Sequence, residues 1–441
     1  MRGFLASSIG VTCAAALALP LTLPAAAAPA PATQSTSGAR TASTTAAPDL
    51  PGSTESLPLT PRTRDRTLGA APEQGLTRDD VHRFSLVGVT WTDPDTELRG
   101  QVQVRTRATG TGEWSGWQDI DTHNEDHGAD PGTAERDSGH VHGSTAPLWV
   151  GDSDGVDVRV RANTAATRTV GNIGEQPSAL PTGLHLELVD PGAAQDPTAG
   201  ARPATANRTA TPRLAATELP ALSKQATERD MVALGAKLQP YIGPRPRIVT
   251  RHGWGADEKL REKGFVYTKQ VKAAFVHHTA TGNNYRCSQA PSVIRGIYRY
   301  HVKSSGWRDI GYNFLVDKCG TIYEGRAGGV AKAVMGAHTL GFNTNSMGIA
   351  VLGTFGSAKP SSAAVTAIAK LTAWKLGLYG VNPRGKTYLK SGGGNLYRKG
   401  KNVRLNVISG HRDGFATECP GRQLYGKLGS ARSTSARYQG R

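Results

Sequence analysis

The chain has 441 residues, 38% of them hydrophobic and 20% charged, which allows two ordinary globular domains with linkers and is too polar overall for an integral membrane protein. Its formal charge of +17 is unevenly shared: from residue 245 onward there are 32 Lys and Arg against 8 Asp and Glu, whereas the portion before holds 20 against 27. The basic half suits an anionic partner or simply a solvated surface, since its Lys and Arg are scattered and no RNA-stacking motif accompanies them.

In chain order, Met1 and Arg2 open a mostly apolar run to Leu23, followed by Ala25 to Ala28 and Pro29. This is the pattern of a cleaved secretory signal over 1–28. Pro20 and Pro24 interrupt the run and no basic stop-transfer cluster follows, so no stable membrane anchor is expected. Outside a cell the available polyanions are wall polymers and membrane surface, and nucleic acid is excluded as a partner. Cys13 falls within the signal. Cys287, Cys319 and Cys419 remain, an odd number for an exported protein. The economical reading pairs Cys287 with Cys319 and leaves Cys419 as a thiolate with other work.

Residues 29–80, rich in Ala, Thr, Ser and Pro, read as a disordered linker. From 81 to 192 the pattern becomes short alternating runs, Phe84 to Val87, Gln101 to Thr106, Val156 to Arg161 and Leu184 to Leu188. Alternation of this kind predicts half-buried strands of a small all-β, sandwich-like domain. Trp91, Trp114, Trp117 and Trp149 fit packing better than a ligand platform. The Asp- and His-rich stretch 119–142 has no regular ligand spacing and reads as a solvated loop. Residues 193–244 return to linker composition, with a helix near Glu218 to Leu238.

The segment 245–430, followed by a short tail 431–441, alternates strand and helix signatures and so predicts an α/β domain. Val271 to His277 reads as a buried strand, Ser292 to His301 as a helix behind Pro291, and Phe314 to Val316 with Thr321 to Glu324 as a hairpin. Ser346 to Leu352 is a further strand, Ser362 to Leu378 a helix closed by Gly380, and residues 384–407 a last hairpin.

Zinc hydrolases hold their metal with three imidazole, carboxylate or thiolate ligands and leave one position for water. His277 ends a predicted strand, and His411 and Cys419 stand eight residues apart, close enough for one loop to present both to one ion. That gives the unpaired cysteine a reason. Neither a His-Glu-x-x-His helix nor a zinc-finger pattern is present.

The motifs around these residues are Phe275 to Thr281, Gly306 to Phe314, Tyr323 to Arg326, Gly336 to Thr339 with Gly341 to Asn343, and Gly410 to Asp413 through Cys419-Pro420-Gly421. In this order they closely resemble the peptidoglycan recognition protein and type 2 N-acetylmuramoyl-L-alanine amidase family. The preceding β-rich segment resembles the amino-terminal module of secreted actinobacterial members. The resemblance implies a central mixed β-sheet with flanking helices and a zinc groove on one face, with His277, His411 and Cys419 as ligands. It also implies action on peptidoglycan; with the signal-like start and the basic C-terminal half, the expectation is a secreted, wall-associated monomer with anionic wall polymers as further partners. His278, next on the strand, should point away and be structural. Tyr312 matches a tyrosine near the metal-bound water, and Thr417 stands where phage-type amidases carry lysine. His338, Trp254, Arg308, Arg326, Asn343 and His301 are candidate substrate contacts, each with an ordinary structural role also open to it. Two other readings compete: a module that binds wall fragments without cutting them, and a zinc peptidase cutting within the stem peptide. Retention of Cys419 favours an enzyme, and only the resemblance favours the sugar-proximal bond.

Overall fold

The computed structural model describes residues 52–62, 71–169, 172–193, 216–233 and 240–441; the expected signal segment lies outside them. The N-terminal region is a nine-stranded, wholly antiparallel sheet built around one long strand, Leu148–Ala162. Phe84–Trp91 pairs with its first half and Glu73–Arg78 with its second half, while Gly100–Ala108 runs along the opposite edge. The alternation read from the sequence works as expected: Val102, Val104 and Thr106 point inward, between more exposed Gln103 and Arg105. Val87, Val89, Trp91, Val156, Val158, Val160, Leu186 and Leu188 complete this core.

The module begins earlier than expected. Thr54–Pro58 pairs with His185–Val189, and Glu73–Arg78 lies inside the sheet, so the Thr- and Ser-rich range 29–80 is not all spacer. Such edge segments are held mainly by ladder hydrogen bonds, which composition does not report. Of the expected tryptophan packing, Trp91 and Trp149 are buried, whereas Trp114 is exposed and Trp117 lies half-buried under the Arg105 and Arg159 guanidinium groups.

The C-terminal region is a seven-stranded mixed sheet in the order Glu218–Leu219, Ile248–Val249, Ile322–Glu324, Phe314–Val316, Ser346–Val351, Ala273–His278, Ile408–Gly410. The last four strands are mutually parallel. Ala274, Val276, Ile349 and Val351 face the helices Ser362–Gly377 and Leu428–Gln439, and Leu315 and Ala350 face the helix Ala290–Arg299. Two boundaries shift here as well. Glu218–Leu219, in the expected linker, joins the sheet, the helix expected near Glu218 to Leu238 is Lys224–Ala233, and the expected tail lies partly within the helix Leu428–Gln439. Cys287 and Cys319 form a disulfide that ties the start of the Ala290–Arg299 helix to the Phe314–Glu324 hairpin. No helix among the described residues is long and apolar enough to cross a membrane.

The two regions pack against each other. Leu86, Trp149 and Val189 of the module join one apolar cluster with Val293, Ile294, Ile297 and Tyr300. The approach is close at two glycines: a Cβ on Gly88 would meet the Tyr300 hydroxyl, and one on Gly296 would press on Leu86. The Tyr300 hydroxyl donates to the carbonyl of Thr145 at 3.1 Å.

Candidate metal centre

Ala273–His278 lies between Ser346–Val351 and Ile408–Gly410, both parallel to it, with Val276 opposite Gly410. His277 therefore ends one strand beside His411, which opens the 3₁₀ turn His411–Asp413 after the next. Carboxyl ends of neighbouring parallel strands are where open α/β sheets place ligands. His277 shares its face with Phe275; His278, one residue on, turns to the other face and accepts from the Phe355 amide at 3.3 Å. Cys419 returns through the Arg412 amide, which donates to its carbonyl at 3.0 Å, and the Thr417 hydroxyl accepts from the Cys419 amide at 3.1 Å.

His277 Nδ1 and His411 Nδ1 are 3.0 Å apart, and Cys419 Sγ is 3.8 Å from His277 Nδ1. His411 Nε2 donates to the Asp126 carbonyl at 3.1 Å, and His277 Nε2 faces His338 Nδ1 at 3.2 Å. Assigned from these partners, Nε2 carries the proton in both rings and both Nδ1 lone pairs aim at one point. Lone pairs at that distance repel unless a cation lies between them. Zinc–nitrogen bonds of about 2.0–2.1 Å and zinc–sulfur bonds of about 2.3 Å span gaps of this size. Burial and the neighbouring His411 push His277 well below its ordinary pKa, and burial pushes His411 down to about 3, so both rings stay neutral. Burial, with Asp126 nearby, pushes the Cys419 thiol well up, so a thiolate there needs a cation beside it. The donor set thus fits zinc on its own chemistry.

A fourth donor was not expected. His127, in the stretch read as a solvated loop, belongs to the same group: one ligand atom each from His127, His277, His411 and Cys419 lies within 4.8 Å of all the others. That reading of 119–142 is corrected, for Asp126, His127, Asp130 and Glu135 are all buried against the C-terminal domain. Burial of a carboxylate demands a partner, and these partners lie some two hundred residues away, beyond the reach of spacing rules. The only sequence signal was the density of Asp and His between Asp119 and His142.

Tyr312 stands beside the cluster, its ring centroid 5.5 Å from that of His277, and burial followed by Cys419 raises its phenol well above the ordinary value. The candidate substrate contacts scatter. His338 is wholly buried behind His277, and burial holds it far below its usual pKa. Trp254 is core, its Nε1 donating to the Glu324 carbonyl at 2.7 Å. His301 is buried and stacks on Trp307 with centroids 4.3 Å apart. Arg308 pairs with Glu262 at 2.8 Å at the surface. Arg326 and Asn343 are buried and already engaged: Arg326 grips Glu135 with two bonds of 2.8 Å, and Asn343 Nδ2 donates to Asp130 at 2.6 Å. Direct substrate contact is thereby closed to His338, Trp254 and His301 in this conformation, because the folded core had a structural use for each.

Residues 267–422 match the family described as N-acetylmuramoyl-L-alanine amidase, and residues 37–182 match the Rv3811 N-terminal galactose-binding domain-like family. Peptidoglycan-recognition protein SC2 of Drosophila simulans is 31% identical over 183 residues, covering 41% of this chain and 84% of its own. Peptidoglycan-recognition protein SC1a of Drosophila melanogaster is 30% identical over 192 residues, 43% of this chain and 87% of its own. Among solved structures, Drosophila PGRP-LB aligns over 42% of this chain and 93% of its own, with 26% identity and a TM-score of 0.33. With an all-β module in front of it, the metal-competent α/β domain places this chain in the peptidoglycan recognition protein family, to which it belongs.

Proposed function

We propose that the chain is a secreted, zinc-dependent N-acetylmuramoyl-L-alanine amidase that hydrolyses the amide joining N-acetylmuramic acid to L-alanine in peptidoglycan, acting as a monomer at the cell wall. The observation that carries this reading is the convergence of His277, His411 and Cys419, with Cys419 held as a buried free thiol rather than in a disulfide. A zinc ion bound there supplies Lewis acidity, polarising the amide carbonyl and acidifying a water.

The chain's own residues do the rest. His338 braces His277 from behind and fixes which nitrogen faces the site, as outer partners of metal-binding histidines do. Tyr312 is the donor to the carbonyl oxygen as negative charge gathers on it. The Thr417 hydroxyl anchors the Cys419 loop and offers a neutral hydrogen bond where a lysine would bring charge. The excess of Lys and Arg beyond residue 245 favours approach to anionic wall polymers.

The test is mass analysis of purified peptidoglycan after incubation with the protein, before and after chelation. Free stem peptide that disappears on chelation and returns with zinc is expected. Products cut within the peptide would replace this reading with a peptidase, and bound but uncut wall would leave recognition alone.

A further inference from the structure

We propose that His127 is a fourth ligand of the same metal ion, supplied by the N-terminal module, and that the loop carrying it holds the intact chain in a latent, closed state; this rests on the zinc reading above. Catalytic zinc sites keep one position open, whereas sites with four protein ligands are closed to water and substrate.

The geometry at His127 is that of a ligand. Its Nδ1 donates to Asp126 Oδ1 at 2.7 Å, the carboxylate–imidazole arrangement that orients metal-binding histidines and leaves the other nitrogen bare. That other nitrogen, Nε2, is buried and has no hydrogen-bond partner. An unsatisfied buried imidazole nitrogen is costly unless something electrophilic meets it, and the nearest candidate is the point where His277, His411 and Cys419 converge. The His127 ring stands edge-on to His411, with centroids 4.6 Å apart, and within 5.8 Å of Tyr312. The pocket lined by His127, Tyr312, Thr417 and Cys419 is small, about 10 Å³.

The rest of the loop is held to the C-terminal domain by its acids. Glu135 is nearly inaccessible and takes both Arg326 nitrogens; its other bond is from the Arg308 amide at 3.2 Å. Asp130 takes Asn343 Nδ2 and the Gly341 amide, at 2.6 and 2.8 Å. These donors would suit the carboxylates and amides of a stem peptide, and the module's own acids satisfy them. The closed state is thus an internal mimic of both the fourth ligand and the substrate, and opening exchanges His127 for water and the two carboxylates for the peptide.

The experiment replaces zinc with cobalt in the full-length chain and counts ligands by X-ray absorption and visible spectroscopy. The wild-type chain is expected to show three imidazoles and one sulfur in tetrahedral coordination; His127→Gln should show two imidazoles, one sulfur and an oxygen. With the open form at about 1–10% of molecules, His127→Gln should release stem peptide roughly ten- to a hundredfold faster than wild type. A wild-type ion with two imidazoles and bound water would overturn the inference, as would a variant no faster than a wild-type chain that does release stem peptide. If coordination changes as expected but neither chain releases stem peptide, the amidase reading fails while ligation by His127 stands.

Discussion

Two of the contacts through which the module meets the C-terminal domain are of opposite character. One is apolar, where Leu86, Trp149 and Val189 lie against Val293, Ile297 and Tyr300. The other is ionic and polar, where Asp126, His127, Asp130 and Glu135 reach His411, Asn343 and Arg326. Apolar burial is non-directional and favours association wherever surfaces fit. Buried charge gives back little net stability, but it is strongly unfavourable when one partner is missing. The first contact therefore anchors the module, and the second sets where its loop rests and leaves it exchangeable for another anion.

The largest expected effect lies beneath both contacts. Cys419→Ser should reduce zinc-dependent release of stem peptide to background, a loss beyond about a thousandfold, with the module still docked; unchanged turnover in the mass assay would remove the catalytic account. Next is the anchor. Trp149→Ala should cost about 3–5 kcal/mol in urea unfolding and split one transition into two as the module loses its grip. Glu135→Ala should cost a similar or slightly smaller amount, about 3–5 kcal/mol, because it strands the Arg326 charge. Adding Arg326→Leu should recover much of that loss, whereas in the Trp149→Ala background the same change should add a loss of its own, because it strands the buried Glu135 carboxylate.

Tyr312→Phe should lower the rate on the order of a hundredfold, with little change in stability or in metal content measured by atomic absorption. The most gradual effect belongs to neither contact, being spread over several pH units. Lys375, in the helix Ser362–Gly377, donates to the carbonyls of Val330 and Lys332, and burial pushes its ammonium down to about 7. Below pH 7 both folded and unfolded chains keep the proton and the penalty is complete. Between about 7 and the ordinary 10.5 only the unfolded chain keeps it, so stability rises with pH by at most about 1.4 kcal/mol per unit. Lys375→Met should flatten that slope in denaturation curves measured from pH 7 to 10, and an unchanged slope would discard this assignment.

Local pattern was enough to read much of this molecule. Alternation gave the strands around Val102, Val158 and Leu186, because a half-buried strand must place every second side chain in the core. Residue type and order singled out His277, His411 and Cys419 as one metal-competent group, because few side chains bind zinc and the short strand holding His277 lies beside the one that leads into His411. The odd cysteine count foreshadowed the Cys287–Cys319 bridge.

What tertiary structure alone decided concerns residues whose partners are remote. Thr54–Pro58 has no strand signature and becomes one by pairing with His185–Val189, 131 residues on. Trp254, His301 and His338 were candidate substrate contacts, and packing buries all three. The loop 119–142 looked solvated because Asp and Glu normally are; only the fold brings Arg326, Asn343 and the histidine pair within reach, and an acid is buried where its counter-charge is waiting. Sequence thus determined which side chains can do chemistry, while long-range contact determined which of them meet, since charge pairing depends on distance in space and not along the chain.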